Sequence, residues 1–342
     1  MWAIDNQTPY AAERTFVRDR DGAEIWLVAV RATFDLFPDG TWQISKKQVP
    51  VAQTPEYLGK PGASSLRWDS DLQRTKRGTD ILLNAKAHVP ENLPDQKQLQ
   101  VGFQVGSLTK RLSVWGDRVG ERILGMLTPT EPKTFRSMPI IYENAIGGMA
   151  DESTPKQNLA ACYRNPVGRG ASPAVGKLFP NIAHTHNNPE HFSEKLSVPG
   201  FSAIGCSWSP RCELAGTYDQ VWKQTRQPLV PSDFDDRYFQ SAPSDQVTPE
   251  FLSGGEQFEL VNLTPSGCLK FRLPRLNFGF RTSIDGTMQH HRANLHTVII
   301  EPDAMRLMMV WHTALPCHFT LYTLRRTVVF EKQLLDHREV AA

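Results

Sequence analysis

Between residues ~147 and 255, proline recurs at positions 155, 166, 173, 180, 189, 199, 210, 228, 231, 243 and 249. Proline removes a backbone donor and drives the residue before it out of the helical region, so this stretch cannot hold long regular elements. Regular structure is therefore confined to the two flanks, and both flanks read as strands. Trp26, Val28, Val30, Ala32, Phe34 and Leu36 share one parity. The other parity is apolar at Ile25, Leu27 and Ala29, then polar at Arg31, Thr33 and Asp35. That pattern predicts a strand buried on both faces at its start and on one face later. Pro38-Asp39-Gly40 turns the chain, and Trp42 and Ile44 resume the alternation as a hairpin. Ile81 to Val89 alternates as one strand, and Leu99 to Val105 returns through Gly106-Ser107 to Leu112 and Val114.

The C-terminal flank repeats the style. Leu269, Phe271 and Leu273 alternate with Cys268, Lys270 and Arg272, and Leu276, Phe278 and Phe280 precede the hairpin signal Asp285-Gly286. Further strands are predicted at Leu295 to Glu301, Met305 to Trp311 and Phe319 to Phe330. No amphipathic crossover helices separate these runs, which excludes a parallel α/β fold. The expected fold is mainly β: antiparallel sandwich-like or rolled sheets, a Pro/Gly-rich irregular layer and few short helices. The expected organisation is an N-terminal β-rich region (1–146), the irregular layer (147–255) and a C-terminal β-rich region (256–342) packed with the first as one unit. One helix is predicted near 217–227, with Thr217 as N-cap and Gln220 at the capping-box position, stopped by Pro228. Phe179, Phe192, Phe201, Trp208, Tyr218, Trp222, Phe234, Tyr238 and Phe239 need burial, so the layer is expected to be ordered.

Charge and targeting narrow the function classes. A formal net charge of +2 over 342 residues is no footprint for nucleic acid or for an anionic membrane. The apolar runs Ile25 to Val30 and Met305 to Trp311 are far shorter than the ~18–20 residues that span a bilayer. The start Met1-Trp2-Ala3-Ile4-Asp5-Asn6 carries no secretory pattern, so a cytoplasmic protein without membrane insertion is expected. Five cysteines (Cys162, Cys206, Cys212, Cys268, Cys317) form no disulfide framework, and reduced, mostly buried thiols are expected.

No catalytic set converges. Gly170 to Lys177 puts five residues between its glycines and Leu178 where a phosphate loop needs Ser or Thr. His184, His186 and His191 fall in a polar loop, while His290, His291 and His296 fall on or near a strand where neighbours point apart. Neither group has the spacing of a zinc site, so no metal and no cofactor is expected. Gly205-Cys206-Ser207-Trp208-Ser209 lacks the nucleophile-elbow pattern. Asp233, Asp235 and Asp236 follow Pro231-Ser232, where carboxylates cap turns. A carboxylate hydrolase of glycosidase type at Asp233–Asp236, or one using Cys206, is the enzyme alternative. A carbohydrate-binding sandwich with exposed Trp is another. The leading expectation is a non-catalytic binding protein, recruiting its partner through edge strands or an aromatic-lined groove.

A string of phrases adds a family to this. Thr8-Pro9-Tyr10-Ala11-Ala12-Glu13-Arg14-Thr15 opens it, followed by Tyr57-Leu58-Gly59-Lys60-Pro61, Asp69-Ser70-Asp71-Leu72 and Gly78-Thr79-Asp80. Gly116-Asp117-Arg118, Met138 to Glu143 and Arg164-Asn165-Pro166-Val167-Gly168-Arg169-Gly170 come next. Gly216-Thr217-Tyr218-Asp219 with Trp222, Pro231-Ser232-Asp233-Phe234-Asp235-Asp236-Arg237 and Gln240 to Gln246 complete it. From residue ~5 to ~280 the chain resembles a bacterial accessory family linked to the type VI secretion system. That family is catalogued as a domain of unknown function, and its members are regarded as adaptors or chaperones for secreted effectors. Val119-Gly120 stands where members often carry an aromatic. The resemblance implies a protein that binds a secreted toxin effector and helps load it onto the VgrG–PAAR spike. It makes Glu13, Arg14, Asp80, Asp117, Arg118, Asn165, Arg169, Tyr218, Asp219, Trp222, Asp233, Phe234, Asp235 and Arg237 structural or partner-binding residues. Turn formers and Arg–Asp pairs favour scaffold roles for them, with Arg169 and Arg237 pinning the irregular layer, and put the effector-specific surface in loops 149–163 and 181–198.

Overall fold

The computed structural model describes residues 2–318 and 320–332. The alternating run at the N-terminus forms the long strand Glu24–Leu36, the centre of a six-stranded sheet. Ala11–Arg18 and Trp42–Ile44 pair with it on one side, and Arg306–Pro316 pairs along its other side. Asn294–Glu301 and then Asp80–Leu83 complete the sheet, the last pair running parallel. A five-stranded antiparallel sheet runs Ile182–His184, Leu108–Trp115, Gln98–Val105, Gln257–Val261 and Cys268–Arg272. A four-stranded sheet runs Ala3–Asn6, Arg326–Glu331, Phe278–Ile284 and Thr287–Arg292. The fold is mainly β, as the patterning requires, and strands from both flanks share each of these three larger sheets.

Val28, Val30, Ala32 and Phe34 enter one core with Phe103 and Phe258 of the five-stranded sheet and Phe280 of the four-stranded one. Each such large side chain contributes about 1.5–3 kcal/mol on burial. The opposite face of the six-stranded sheet carries a smaller cluster in which Leu82, Ile299 and Met308 meet Leu66, Trp68, Ala203 and Ala242. This second layer corrects the expectation of a wet face at Arg31 and Thr33, because both are fully buried. The backbone of Thr33 exchanges hydrogen bonds with the Gln48 side chain at 2.9 Å in each direction. Arg31 donates to Asp71 at 3.1 Å and lies over the Trp68 ring at 4.4 Å.

Three further expectations need correction. Ile81 to Val89 is two strands, because the chain leaves the six-stranded sheet at Asn84-Ala85 and Lys86–His88 pairs instead with Ser137–Pro139. The last strand begins at Arg326, preceded by the short helical turn Leu321–Thr323, and Phe319 lies outside the described residues. The predicted helix spans Gln220–Thr225, and its N-cap is Asp219 rather than Thr217: the Asp219 carboxylate accepts the Trp222 N–H at 2.8 Å. The hairpins at Pro38-Asp39-Gly40, Gly106-Ser107 and Asp285-Gly286 form as read.

The proline-punctuated stretch folds as an ordered layer with one more short helix, Leu159–Arg164. Phe179, Phe201, Trp208 and Phe234 are buried in it, whereas Tyr218 is 55% exposed. All five cysteines are free, and only Cys162 and Cys317 are buried, which corrects the expectation of mostly buried thiols.

Candidate binding cleft

Just after the strand Leu66–Trp68, the chain crosses the outer face of the six-stranded sheet with Asp69, Asp71, Arg74, Lys76 and Asp80, all buried. A buried charge is tolerated only when paired and hydrogen-bonded, and each of these is. Asp69 accepts Arg211 at 2.5 Å, and Asp71 accepts Arg31. Arg74 pairs with Asp236 and covers the Phe234 and Phe239 rings at 5.6 and 5.3 Å. The Lys76 ammonium bridges Asp80 at 2.5 Å and the Thr297 hydroxyl at 2.8 Å. Burial pushes the Asp71 carboxyl up against the opposing pull of Arg31. Such pairs add little net stability over apolar packing, but they fix geometry, and here they tie the irregular layer to the sheet.

The tie defines a cleft. Arg211 donates to the Ile204 carbonyl and the Tyr238 carbonyl, both at 2.7 Å, so one guanidinium joins segments 204–214 and 237–247. Asp80 accepts from the Gln240 amide at 2.8 Å and from the Ser241 N–H at 2.9 Å, holding the second segment to the sheet. Loop 194–198 lines the cleft as well, and the open space measures about 470 Å³. Leu196, Val198, Ile204, Leu214, Ala242 and Val247 supply its apolar surface, while Arg77, Arg164, Lys195 and Arg237 contribute cations. A second lobe of about 390 Å³ shares Arg164, Glu194 and Ser209 with the first and adds Tyr163, which is 65% exposed.

Electrostatically the rim is uneven. Asp235 lies 2.7 Å from Arg237 and 3.6 Å from Arg77, and the hydrogen bonds from Arg237 hold its carboxyl down at about 2. Arg164 and Lys195 take part in no ion pair among the described residues. Arg164 donates instead to the Leu196 carbonyl at 3.2 Å and lies over the Phe192 ring at 5.6 Å. The arrangement offers an apolar trough of the size that binds ligands, edged by positive charge of which Arg164 and Lys195 have no carboxylate partner among the described residues.

The residues singled out in the sequence fall into five places. Around the cleft are Asp80, Phe234, Asp235 and Arg237, with Phe234 packed on Tyr238 and Phe239 at 5.6 and 5.5 Å. Beside it, Asp233 accepts the Thr217 N–H at 3.0 Å and hydroxyl at 2.8 Å, and these bonds, the N–H foremost, lower its carboxyl. Asp219 caps the helix there, Tyr218 meets Trp222 edge-on at 4.7 Å, and the Trp222 indole donates to the Leu229 carbonyl at 2.7 Å. Elsewhere, Asn165 is fully buried and donates to the Tyr142 and Ile146 carbonyls. Arg169 donates to the Glu143 carbonyl at 2.7 Å and to Asn144, so it pins the layer through neutral oxygens rather than an Asp.

Asp117 accepts the Asn181 amide at 3.2 Å, and Arg118 binds Glu190 and the Pro180 carbonyl. Glu13 and Arg14 stand on the sheet's outer strand, paired to each other at 3.1 Å.

Three cleft residues, Arg77, Arg164 and Arg211, escaped the sequence reading, while Lys195 lies in the loop 181–198 that was expected to bind. Arg164 belongs to a quoted phrase, and Arg77 follows Arg74 and Lys76 in an unusually basic run, which was the available signal. The histidines do not converge: His184 bonds the Ser197 carbonyl, and His291 sits between the Thr282 and Thr313 hydroxyls. His296 stacks on His312 at 4.5 Å. Among the described residues no three His, Cys, Asp or Glu side chains group to hold a metal ion, and no helix is long and apolar enough to cross a membrane.

Comparison with known proteins places the chain in a family. A family described as an uncharacterized protein conserved in bacteria (DUF2169) matches residues 21–312. No curated protein and no solved structure matches the chain. The match covers most of the sequence, including every strand of the five-stranded sheet and every wall of the cleft, and the chain belongs to that family.

Proposed function

We propose that this chain is a cytoplasmic, non-catalytic adaptor that binds a type VI secretion toxin effector and helps load it onto the VgrG–PAAR spike. The single observation that carries the binding role is the open cleft, apolar inside and cationic at its rim, held by the buried Arg211–Asp69 ion pair and by the Asp80 carboxylate on Gln240 and Ser241, contacts far apart in sequence. A rigid trough of this kind suits reversible capture of a protein segment, where preorganised walls reduce the entropy lost on binding. The secretion role follows from the phrases between residues ~5 and ~280 that resemble the accessory family, and membership in a bacterial family is compatible with it.

In this reading Asp233, Asp235 and Asp236 are structural. Asp233 closes a turn onto Thr217, Asp235 binds Arg237, and Asp236 binds Arg74. The test is co-expression with the products of neighbouring genes, an effector and a spike protein, followed by co-purification on a tag carried by this chain. Co-elution of the effector at fixed stoichiometry is expected. Failure of both partners to co-elute, with all three proteins soluble, removes the reading.

A further inference from the structure

We infer that the cleft takes a short extended peptide segment of the partner, carrying carboxylates that alternate with apolar side chains. This rests on the adaptor reading and narrows it to one site and one ligand chemistry. Shape is the first argument. The two lobes have Arg164, Glu194 and Ser209 in common in their linings and both open to the surface, so the site is a surface trough rather than a closed chamber for a small molecule. An extended chain sends successive side chains to opposite sides, which lets one parity face an apolar floor while the other meets a charged rim.

Charge is the second argument. The larger lobe is lined by Arg77, Arg164, Lys195, Arg211 and Arg237 against the single carboxylate Glu194. Asp69 neutralises Arg211, and Asp235 serves both Arg77 and Arg237. Arg164, which lines both lobes, and Lys195, which lines the larger one, are left without a carboxylate partner among the described residues. A carboxylate lying between them would find two charge-assisted donors, and its neighbours would cover Val198, Ile204 and Ala242.

The test uses the full chain and three short fluorescent peptides of one length: alternating Leu and Glu, the same with Gln for Glu, and the same with Lys for Glu. Fluorescence anisotropy is read at low and high salt. The Glu peptide is expected to bind, weakening as salt screens the rim. The Gln peptide should bind about tenfold more weakly and the Lys peptide more weakly still. In Lys195→Glu and in the Arg164→Glu/Lys195→Glu double variant, the preference should turn from the Glu to the Lys peptide. Lys195 is exposed and makes no side-chain hydrogen bond among the described residues, so the single variant reads charge alone if the double variant loosens loop 194–198.

Equal binding of the Glu and Gln peptides overturns the inference. So does an unchanged preference in the variants, or displacement of the Glu peptide by inorganic phosphate at matching concentration, which would mark a simple anion site. The adaptor reading fails separately. If the effector co-elutes equally with the native chain and the double variant, the cleft inference falls and the adaptor stands. If no effector co-elutes while the peptides discriminate as expected, the peptide site stands and the secretion role falls.

Discussion

Arg211 and Asp69 meet at 2.5 Å across 142 residues of sequence, both buried, and the same guanidinium holds the Ile204 and Tyr238 carbonyls. The contact therefore joins the segment on the sheet to two walls of the cleft. Asp69→Ala leaves a buried cation without its counter-charge, a change that costs about 3–5 kcal/mol. Urea denaturation should register a loss of that size, and partner binding should weaken with it. A loss under about 1 kcal/mol would mean that water reaches the guanidinium and that the pair does not organise the cleft.

Asp80 makes the matching argument from the other side. Its carboxylate accepts from Lys76, from the Gln240 amide and from both the N–H and hydroxyl of Ser241. Asp80→Asn replaces one acceptor oxygen with a donor that faces donors, and leaves Lys76 buried with only Thr297 as a close partner. A destabilisation of about 3–5 kcal/mol is expected. Asp80→Asn combined with Lys76→Met should recover part of it, because removing both charges avoids the orphan. A double variant as unstable as the sum of the singles would contradict the pairing.

Patterning read the strands and turns well because period-2 alternation and Asp-Gly or Pro-Asp-Gly turns are local signals. It misjudged Arg31 and Thr33, since polar side chains on a strand look wet until Asp71, Trp68 and Gln48 arrive from later in the chain to cover them. It ran Ile81 to Val89 as one strand because nothing at Asn84-Ala85 marks a move between sheets. Helix onset shifted by two residues because Thr217 and Asp219 are both good caps, and Thr217 is already bound by Asp233. The cleft was legible only in part. Loops 149–163 and 181–198 were the expected binding surface, and Tyr163 and Leu196 do line the trough. Its other walls meet through Arg211–Asp69 and Asp80–Gln240, contacts between residues more than 140 positions apart that no local pattern encodes.

Gly216 and Asp233 shape the turn that leads into the helix at Gln220. Gly216 has φ +81°, and a Cβ there would lie 2.9 Å from the Pro231 Cβ and 2.7 Å from the Asp233 carboxylate. Gly216→Ala combines that contact with left-handed backbone strain, for an expected cost of about 1–2 kcal/mol. Asp233→Ala removes the acceptor for two Thr217 donors, so it should loosen the same turn and lower the melting temperature. Both changes act on one turn, so thermal denaturation of the double variant should give less than the sum. Strict additivity would show that the turn is not a unit.

Acid should destabilise the fold earlier than its carboxylates explain. His312 is buried against His296, which is stacked in turn on Phe251 at 5.3 Å, and its Nε2 has no hydrogen-bond partner. Burial, with Lys76 nearby, lowers His312 to about 3, while burial and His312 hold His296 well below its ordinary value. Burial also lowers His291, to about 4. Above the unfolded value of about 6.5 these rings are neutral in both states and contribute no pH dependence. Below it the unfolded chain takes up protons that the folded chain refuses, so stability falls by about 1.4 kcal/mol per pH unit for each ring, down to the folded value. Asp235 acts in a separate window, because its contribution is present above about 3.9 and is lost as pH falls through about 2. The urea midpoint should therefore drop between pH 6.5 and 5, and His312→Gln should flatten the slope by one proton's worth. A midpoint constant over that interval would mean that these rings protonate within the fold, and the stacked pair would have to open to allow it.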